Sequence, residues 1–448
     1  YCKAIELDSY NPLYHRNIAG SHRELGSYEQ AISAYQEVTR LDPSYENDYS
    51  SWGYALGELE QSGADIGSYT KQISNSLEFA PVYSSWGNSL WNQEKYEAAI
   101  EKCRQAIKLD PTYERAYTGW GHALYELEQR VGDVQAQRED IGNTPQFAHL
   151  YNGWGNALHS KKRYEAAAKK YQIAIELDPF NPLFRRNIAG SLRELGNYKQ
   201  AISAYQEATR LDSSYKDAYI GWGYALGQLE RKGSDIQAHI EVFDDTQIFS
   251  FLYASRAEVL LDAEMCDAAI QQCKKAISID STCKTAYGIW GWALGLIEKA
   301  GNTVEPYHTE GIDSASAFSE LYNSWGNISY RSGKYALALH KYEKAIYLDR
   351  HCKGAYAGWG AAWGIIEQDK QITDNTQFFQ EITDSSVFLD EVYMGWGDSL
   401  YSVEDYATAL EKYQQAIQEN KNNALSYYKS ALALHKLMRY EAAISNYQ

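Results

Sequence analysis

Tryptophan recurs in this chain at a fixed interval. Trp52, Trp86, Trp120 and Trp154 stand 34 residues apart, and Trp222 and Trp290 continue the frame at twice that step. Trp325, Trp359 and Trp396 follow with small slips. A period of this length marks one supersecondary unit repeated along a line, because a single copy cannot bury its apolar face without a neighbour. The unit is clearest in residues 83–111, YSSWGNSLWNQEKYEAAIEKCRQAIKLDP. Tyr83, Trp86, Gly87 and Leu90 fall at i, i+3, i+4 and i+7, one face of a first helix. Tyr96, Ala99, Ile100, Cys103, Ala106 and Ile107 repeat that spacing on a second helix, with Gln93-Glu94-Lys95 as the turn between them. Leu109-Asp110-Pro111 closes the unit, since proline cannot continue a helix and turns its predecessor away from one. Small residues at Gly87, Ala99 and Ala106 let the two helices approach closely.

The 34-residue period, the W-G pair, the small-residue second helix and the closing L-D-P together resemble the tetratricopeptide repeat (TPR) family. The resemblance covers essentially the whole chain. It implies an all-α fold, a right-handed superhelical solenoid of antiparallel helix hairpins. Length alone suggests two or three globular domains, but the repeat makes residues 1–448 a single array of about thirteen units. Units start at residues 12, 46, 80, 114, 148, 182, 216, 250 and 284, then near 319, 353, 390 and 424. Standard and divergent units alternate. Standard ones carry A-x-x-x-Y-x-x-A on the second helix, as in YEQAISAYQEVTRLDP from Tyr28, YEAAAKKYQIAIELDP from Tyr164 and YATALEKYQQAI from Tyr406. Divergent ones keep a strong first helix and lose that stripe. In its place stand ADIGSYTKQISNSLEFA, VGDVQAQREDIGNTPQFA or SDIQAHIEVFDDTQIF, and Glu305-Pro306 and Asp374-Asn375 interrupt two later copies. The pattern that survives there, ending in Phe147, Phe249, Phe318 or Phe388, predicts a shorter, more loosely packed second helix.

A longer period overlies the first. Residues 1–60 and 171–230 align without gaps, as in NPLYHRNIAGSHRELGSYEQAISAYQEVTRLD against NPLFRRNIAGSLRELGNYKQAISAYQEATRLD. A duplicated block of five units, 1–170 and 171–340, accounts for this. Ile18 and Ile188 replace the tryptophan in both copies. The chain opens with YCKAIELD, half of a second helix, and stops within another at YEAAISNYQ. We therefore expect a piece of a longer protein, truncated in mid-repeat at both ends, with self-association through the cut repeat ends open to it.

Composition bounds the partners. A net charge of −17 has the wrong sign for a phosphate backbone, which argues against nucleic acid. No apolar run approaches membrane-spanning length. Cys2, Cys103, Cys266, Cys273, Cys283 and Cys352 show neither C-x-x-C pairs nor a framework spacing, which fits a reducing, cytoplasmic compartment. Cys103 and Cys273 stand where other units have Tyr35, Tyr205 or Tyr342, so they are read as small buried hydrophobes.

Chemistry is not written into the sequence. Neither glycine-rich phosphate loop, nor H-E-x-x-H, nor G-x-S-x-G is present. His149 and His159 share a helix without i, i+3 or i+4 spacing, and Cys266 and Cys273 are seven apart with Cys273 at a core position. Asp244-Asp245 and Glu139-Asp140 read as solvated carboxylates. No catalytic, metal or cofactor site is expected.

What remains is surface. In each unit, positions 2, 5, 9 and 12 form a second face of the first helix, which the family resemblance places on the concave side where extended peptides bind. Asn88, Asn152, Asn156, Asn323 and Asn327 make a broken asparagine row there. Each asparagine carries donor and acceptor, suited to an extended peptide backbone of any sequence. The family includes a protein O-glycosyltransferase with an asparagine ladder of this sort. Arg16 with Arg23, and Arg186 with Arg193, are two basic rungs at matching positions of the duplicated blocks, and arginine forks suit carboxylates. Trp91, Tyr125, Tyr330 and Tyr401 add aromatic anchors at position 12. Gly20 and Gly190 at position 9 disfavour a helix by about 1 kcal/mol each relative to alanine, and room for another backbone is one reason to keep them. Plainer roles compete with all of these: exposed polarity for asparagine, pairing with acids of adjacent repeats for arginine, packing for the aromatics, and descent from one block for the glycines. The family's co-chaperone clamp wants Lys at position 5 and Asn at position 9 of one unit, and Ser84/Asn88, Asn152/Asn156 and Asn323/Asn327 all lack that lysine.

The sequence thus predicts a protein-interaction scaffold that binds a protein or an extended peptide in its concave groove and is not itself an enzyme. Two rivals stand beside this reading. One is the substrate-selecting array of an enzyme, such as a glycosyltransferase, whose catalytic domain lies outside these residues. The other is a peptide-sensing regulator.

Overall fold

The structure is a computed structural model that describes residues 5, 8–132, 134–138, 140–236, 239, 246–305, 316–368 and 388–447. Among them there is no strand. The chain divides into two compact units, Tyr1–Ala218 and Tyr219–Gln448. The first holds α1 (Pro12–Glu24), α2 (Tyr28–Leu41), α3 (Glu46–Gln61), α4 (Ala80–Asn92), α5 (Tyr96–Leu109), α6 (Glu114–Val131), α7 (Ala148–Ser160), α8 (Tyr164–Leu177), α9 (Pro182–Glu194) and α10 (Tyr198–Leu211). The unit boundary falls within α11 (Lys216–Arg231). The second unit holds α12 (Phe249–Asp262), α13 (Cys266–Ile279), α14 (Lys284–Lys299), α15 (Ser319–Arg331), α16 (Tyr335–Leu348), α17 (Lys353–Gln368), α18 (Leu389–Ser402), α19 (Tyr406–Glu419), α20 (Ala424–Lys436) and α21 (Tyr440–Tyr447). Each unit is a solenoid of stacked antiparallel hairpins.

A standard hairpin is set by local signals. At α1 and α9, Asn11 and Asn181 accept from the N–H groups of Leu13 and Leu183, and Pro12 and Pro182 take the first helical position. Between α4 and α5, Glu94 adopts φ 60°, and the N–H of Lys95 bonds back to the Leu90 carbonyl. Gly26, Gly196 and Gly333 hold that left-handed position in other hairpins. The closing signal differs from expectation. Asp110 accepts from the N–H of Thr112, while its own N–H caps Ala106. Asp212, Asp280 and Asp349 close their helices in the same way without a following proline. The aspartate turn ends the second helix, and proline only reinforces it.

Divergent units are organised by glycine. Their first helices are longer, 16 residues in α3 and 18 in α6. With no full second helix between them, α3 lies directly and in parallel against α4, and α6 against α7. A Cβ at Gly53 would overlap the Val82 carbonyl, and one at Gly121 the Leu150 carbonyl. In the second unit Gly291 meets Leu321, and Gly360 meets Val392, through the same contact. Gly57, Gly227, Gly295 and Gly364 stand four residues after Gly53, Gly223, Gly291 and Gly360 and admit Ser89, Val259, Ile328 and Ser399. In standard units the W-G glycine has another neighbour. Gly155, Gly326 and Gly397 seat the rings of Tyr171, Tyr342 and Tyr413 from their own second helices.

The shortened second helix is real where it is described: one turn at Gly67–Thr70 and one at Gln135–Arg138. The returning segment packs Ile66, Tyr69 and Ile73, or Val134 and Ile141, on the core and ends on an aromatic. Phe79 sits edge-on against Tyr49 and Trp52 at 5.4 and 5.8 Å, Phe147 against Tyr117 and Trp120 at 5.1 and 6.1 Å, and Phe318 against Tyr287 at 4.8 Å. Burying such a ring contributes about 2–3 kcal/mol, a modest substitute for a whole helix. Cys2, Glu139, Asp244-Asp245, Pro306 and Asp374-Asn375 lie outside the described residues.

Standard tryptophans carry a cation that their spacing did not announce. Lys102, Lys170, Lys341 and Lys412 place Nζ 3.4, 3.4, 3.6 and 3.6 Å over Trp86, Trp154, Trp325 and Trp396. Each lysine precedes the second-helix Tyr or Cys in sequence, so one turn supplies both the ring-stacking cation and the core residue. Cys103 and Cys273 are fully buried, as their register predicts, and burial pushes the Cys103 thiol up to about 12.

Candidate functional site

Two standard hairpins follow one another directly at α7–α10, without a divergent unit between them. A cavity of about 290 Å³ lies there, lined by Asn156, His159 and Ser160 of α7, Tyr171 of α8, Arg186, Asn187, Gly190 and Arg193 of α9, and Tyr205 of α10. Three of the sequence-predicted residues, Asn156, Arg186 and Arg193, therefore share one concavity. Gly190 forms part of its wall. A Cβ built there would meet nothing closer than the Tyr205 hydroxyl at 4.0 Å, and one at Gly20 would meet nothing within 4 Å. These two glycines are not required by packing inside the chain, in contrast to Gly53 or Gly121.

A polar network backs the cavity. The Asn187 amide donates to Oδ1 of Asn152 at 2.8 Å and to Oδ1 of Asn156 at 3.4 Å. The Tyr171 hydroxyl donates to Asn156 at 2.8 Å, and Arg186 donates to Asn187 Oδ1 at 3.2 Å. Burial pushes the Tyr171 and Tyr205 hydroxyls up, so both remain protonated donors. His159 Nδ1 and the Ser191 hydroxyl are hydrogen-bonded at 2.9 Å, and burial pushes the imidazole down. Arg193 pairs with Glu194 at 2.7 Å, and Arg186 stands 3.7 Å from Asp217 with 42% of its side chain exposed. The exposed Arg186–Asp217 pair holds weakly, by about 0–1 kcal/mol, so an incoming carboxylate can displace Asp217.

The matching rung of the first block is arranged differently. Arg16 is clamped by both oxygens of Asp48, at 2.8 to 3.0 Å, and lies 4.0 Å from the Tyr45 ring centre. Asp48 is 5% exposed, so this pair belongs to the fold. The residue 170 places later is Ala218, which leaves Arg186 without that clamp. Arg23 keeps the local partner of its counterpart, Glu24 at 2.7 Å, and reaches Ser51 at 3.5 Å. The two rungs match in sequence but not in availability.

Most of the other predicted site residues have internal duties. Tyr125 is 3% exposed and belongs to the core. Its ring is not on the groove surface, because α6 packs this side directly on α7. Asn152 is buried beneath Asn187, and Asn323 is buried against Gly354. Asn327 is exposed but accepts from Tyr342 at 2.9 Å. Tyr330 and Tyr401 lie edge-on against Tyr335 and Tyr406 of their own hairpins, at 5.4 and 5.0 Å. Asn88 is exposed, and Cys103 replaces the tyrosine that would hold it. Trp91 is half-buried, 6.3 Å from the His122 ring. Sequence reasoning missed Asn187, His159, Tyr171 and Tyr205. A signal for the first existed, since R-N-I-A-G stands in both blocks.

Among the described residues no three His, Cys, Asp or Glu side chains cluster to hold a metal. None of their helices is long and apolar enough to cross a membrane.

Comparison with known proteins finds repeat segments along the chain. The sequence family described as TPR repeat matches residues 87–128, 155–189, 191–229 and 397–437, and the one described as Tetratricopeptide repeat matches residues 17–45. Small glutamine-rich tetratricopeptide repeat-containing protein 2 of Mycosarcoma maydis is 29% identical over 112 residues, 24% of this chain and 32% of that protein. TPR repeat-containing protein MJ1428 of Methanocaldococcus jannaschii is 22% identical over 295 residues, 61% of this chain and 50% of that protein. The chain thus spans half or less of the length of these two curated relatives. The crystal structure of yeast Tom70 aligns over 97% of this chain and 96% of its own, with a TM-score of 0.29 and 11% identity. The repeat matches, together with the hairpin geometry, make this chain a member of the tetratricopeptide repeat family.

Proposed function

We propose that the chain is a protein-interaction scaffold that holds an extended segment of a partner protein against its first helices, with a carboxylate of that segment seated at Arg186 and Arg193. TPR proteins generally act through protein partners, which sets the class. The observation that carries the finer reading is the cavity beside Gly190. It brings two arginines, the Asn156 and Asn187 amides and two tyrosine hydroxyls to one place, where a helix-weakening glycine answers no internal packing need. Asn88 and Trp91 extend the same face along the first unit. Arg16 contributes less in this reading because the buried Asp48 clamps it, Arg23 because its rung partner is so clamped, and Asn323, Asn327 and Tyr330 because they are buried or packed in their own hairpins.

The proposal includes one continuous array over residues 1–448, built by duplication of 1–170 into 171–340, with no catalysis of its own. A cytoplasmic location belongs to it and rests on the cysteine spacings. Site-specific photocrosslinking tests the surface. A crosslinker at Ser160, beside the cavity, should capture a partner from extract, and one at Lys199, exposed on α10, should not. Equal capture from both positions would reject the groove assignment.

A further inference from the structure

The formal charges around the cavity cancel. Arg186 faces Asp217, Arg193 faces Glu194, and the remaining basic group, His159, is held neutral. A carboxylate entering this site would leave it one negative charge in excess. We infer that the Arg186–Arg193 cavity binds a carboxylate together with a proton, and that His159 takes up the proton. This inference rests on the partner-binding reading of the same cavity.

The geometry gives His159 the means. Its ring lines the cavity beside Asn156, and its Nδ1 is engaged by the Ser191 hydroxyl at 2.9 Å. Protonation converts that nitrogen into a donor to the hydroxyl oxygen, so the bond survives the change of state. The charged groups that act on the ring lie on α9, and the neighbouring elements add further titratable groups around it. On α9 these are Glu194, which favours the charged form, and Arg193 and Arg186, which oppose it. On α8 the Tyr164 ring meets its face edge-on at 5.0 Å, and Tyr171 lines the same cavity as Tyr205 of α10. Glu126 of α6 is 3.9 Å from Lys161, which follows α7.

Burial and the two arginines outweigh Glu194, and the imidazole stays neutral near pH 7. A bound carboxylate adds an opposite charge and cancels the field of the arginines, which raises the affinity of the ring for a proton. The sign follows. Affinity is pH-independent well above the ring's titration point in the complex, rises as pH falls through that point, and levels off below its titration point in the free protein. Capture therefore strengthens on mild acidification, although salt-screened contacts alone would show no such dependence between about pH 6 and 8, where carboxylates and arginines do not titrate.

The test uses the whole chain and a capped peptide of alternating glycine and glutamate as the probe. Calorimetric titration near neutral pH in two non-phosphate buffers of different ionisation enthalpy reads proton uptake directly. We expect buffer-dependent heats corresponding to a fraction of a proton, and several-fold tighter binding at about pH 6 than at about pH 8. His159→Gln should bind the peptide with neither effect. Unchanged proton uptake in His159→Gln, or none in the native chain, overturns the inference. The underlying reading is tested separately by Arg186→Glu/Arg193→Glu. Peptide binding that survives this pair of changes rejects the cavity as the site, whereas binding that it abolishes, without proton uptake in the native chain, rejects only the role of His159.

Discussion

The Tyr171 hydroxyl donates to Oδ1 of Asn156, 15 residues earlier in the same hairpin, at 2.8 Å. Tyr342 makes this bond to Asn327, and Tyr413 makes it to Asp398, both at 2.9 Å. The tyrosine that seals the hairpin core thus also fixes the polar residue on the first-helix surface. Where that residue is Gly190, Tyr205 keeps its place in the core and its hydroxyl reaches the cavity instead. Tyr171→Phe should cost about 1 kcal/mol, the usual net value of one such bond. It should also release Asn156, lowering hydrogen-exchange protection in α7 and α8 while leaving α4 and α5 unchanged. An unchanged α7–α8 pair would mean that the bond does not anchor Asn156.

Two glycines of the same chain should respond in opposite directions to alanine. Gly53→Ala drives a methyl group into the Val82 carbonyl and should destabilise the α3–α4 contact by about 1–3 kcal/mol. Gly190→Ala meets only open space and should stabilise α9 by about 0.5–1 kcal/mol, while filling part of the cavity and weakening partner capture. Thermal unfolding and a binding assay on both variants check the pair. A destabilised Gly190→Ala, or one that binds normally, would assign Gly190 to architecture or to ancestry.

Lys170 gives a pH dependence of known sign. Burial first, and Arg138 second, push its ammonium down to about 8 over the Trp154 ring. In the unfolded chain the group titrates near about 10.4. The folded form therefore releases its proton earlier, and the hairpin gains stability as pH rises from about 8 to about 10. The buried tyrosines, whose hydroxyls are pushed up, act in reverse at the alkaline end. Comparison with Lys170→Met isolates the lysine. Exchange protection of α7 and α8, corrected for intrinsic rates, should rise with pH in the native chain relative to Lys170→Met. Parallel trends in the two proteins would contradict this.

Much of the fold was legible because it is periodic. The Trp86 and Tyr96 stripes are local 3.6-residue patterns, and their repetition every 34 residues leaves few architectures. The packing partner of each stripe was not local. Gly53 and Gly57 form a G-x-x-x-G pair that specifies close parallel helices, yet the sequence does not say that α4, beyond a missing second helix, is the helix they meet. Proline was credited with closing the units, although Asp212 and Asp349 close theirs through a side-chain hydrogen bond that leaves no trace in hydropathy. At the site, Arg186, Arg193 and Gly190 stood out because the duplication repeated them. That repetition concealed the difference that matters, since the carboxylate facing Arg16 is the buried, bidentate Asp48 and the one facing Arg186 is the looser, exposed Asp217. Tyr125 was misplaced by position counting, because a divergent unit buries a face that a standard unit exposes.

The role of the Arg186–Arg193 cavity is tested most directly by charge reversal against a captured partner. Arg186→Glu/Arg193→Glu is compared with Arg210→Glu, which reverses an exposed charge on α10 that pairs with Glu207 at 2.6 Å. Loss of two charge-assisted contacts should weaken binding at least about tenfold, and the native affinity should fall with added salt. The Arg210→Glu protein should bind as the native chain does. Equal affinity of both variants for the partner, at low and at high salt, would contradict a partner site at this cavity and leave the two arginines as structural residues.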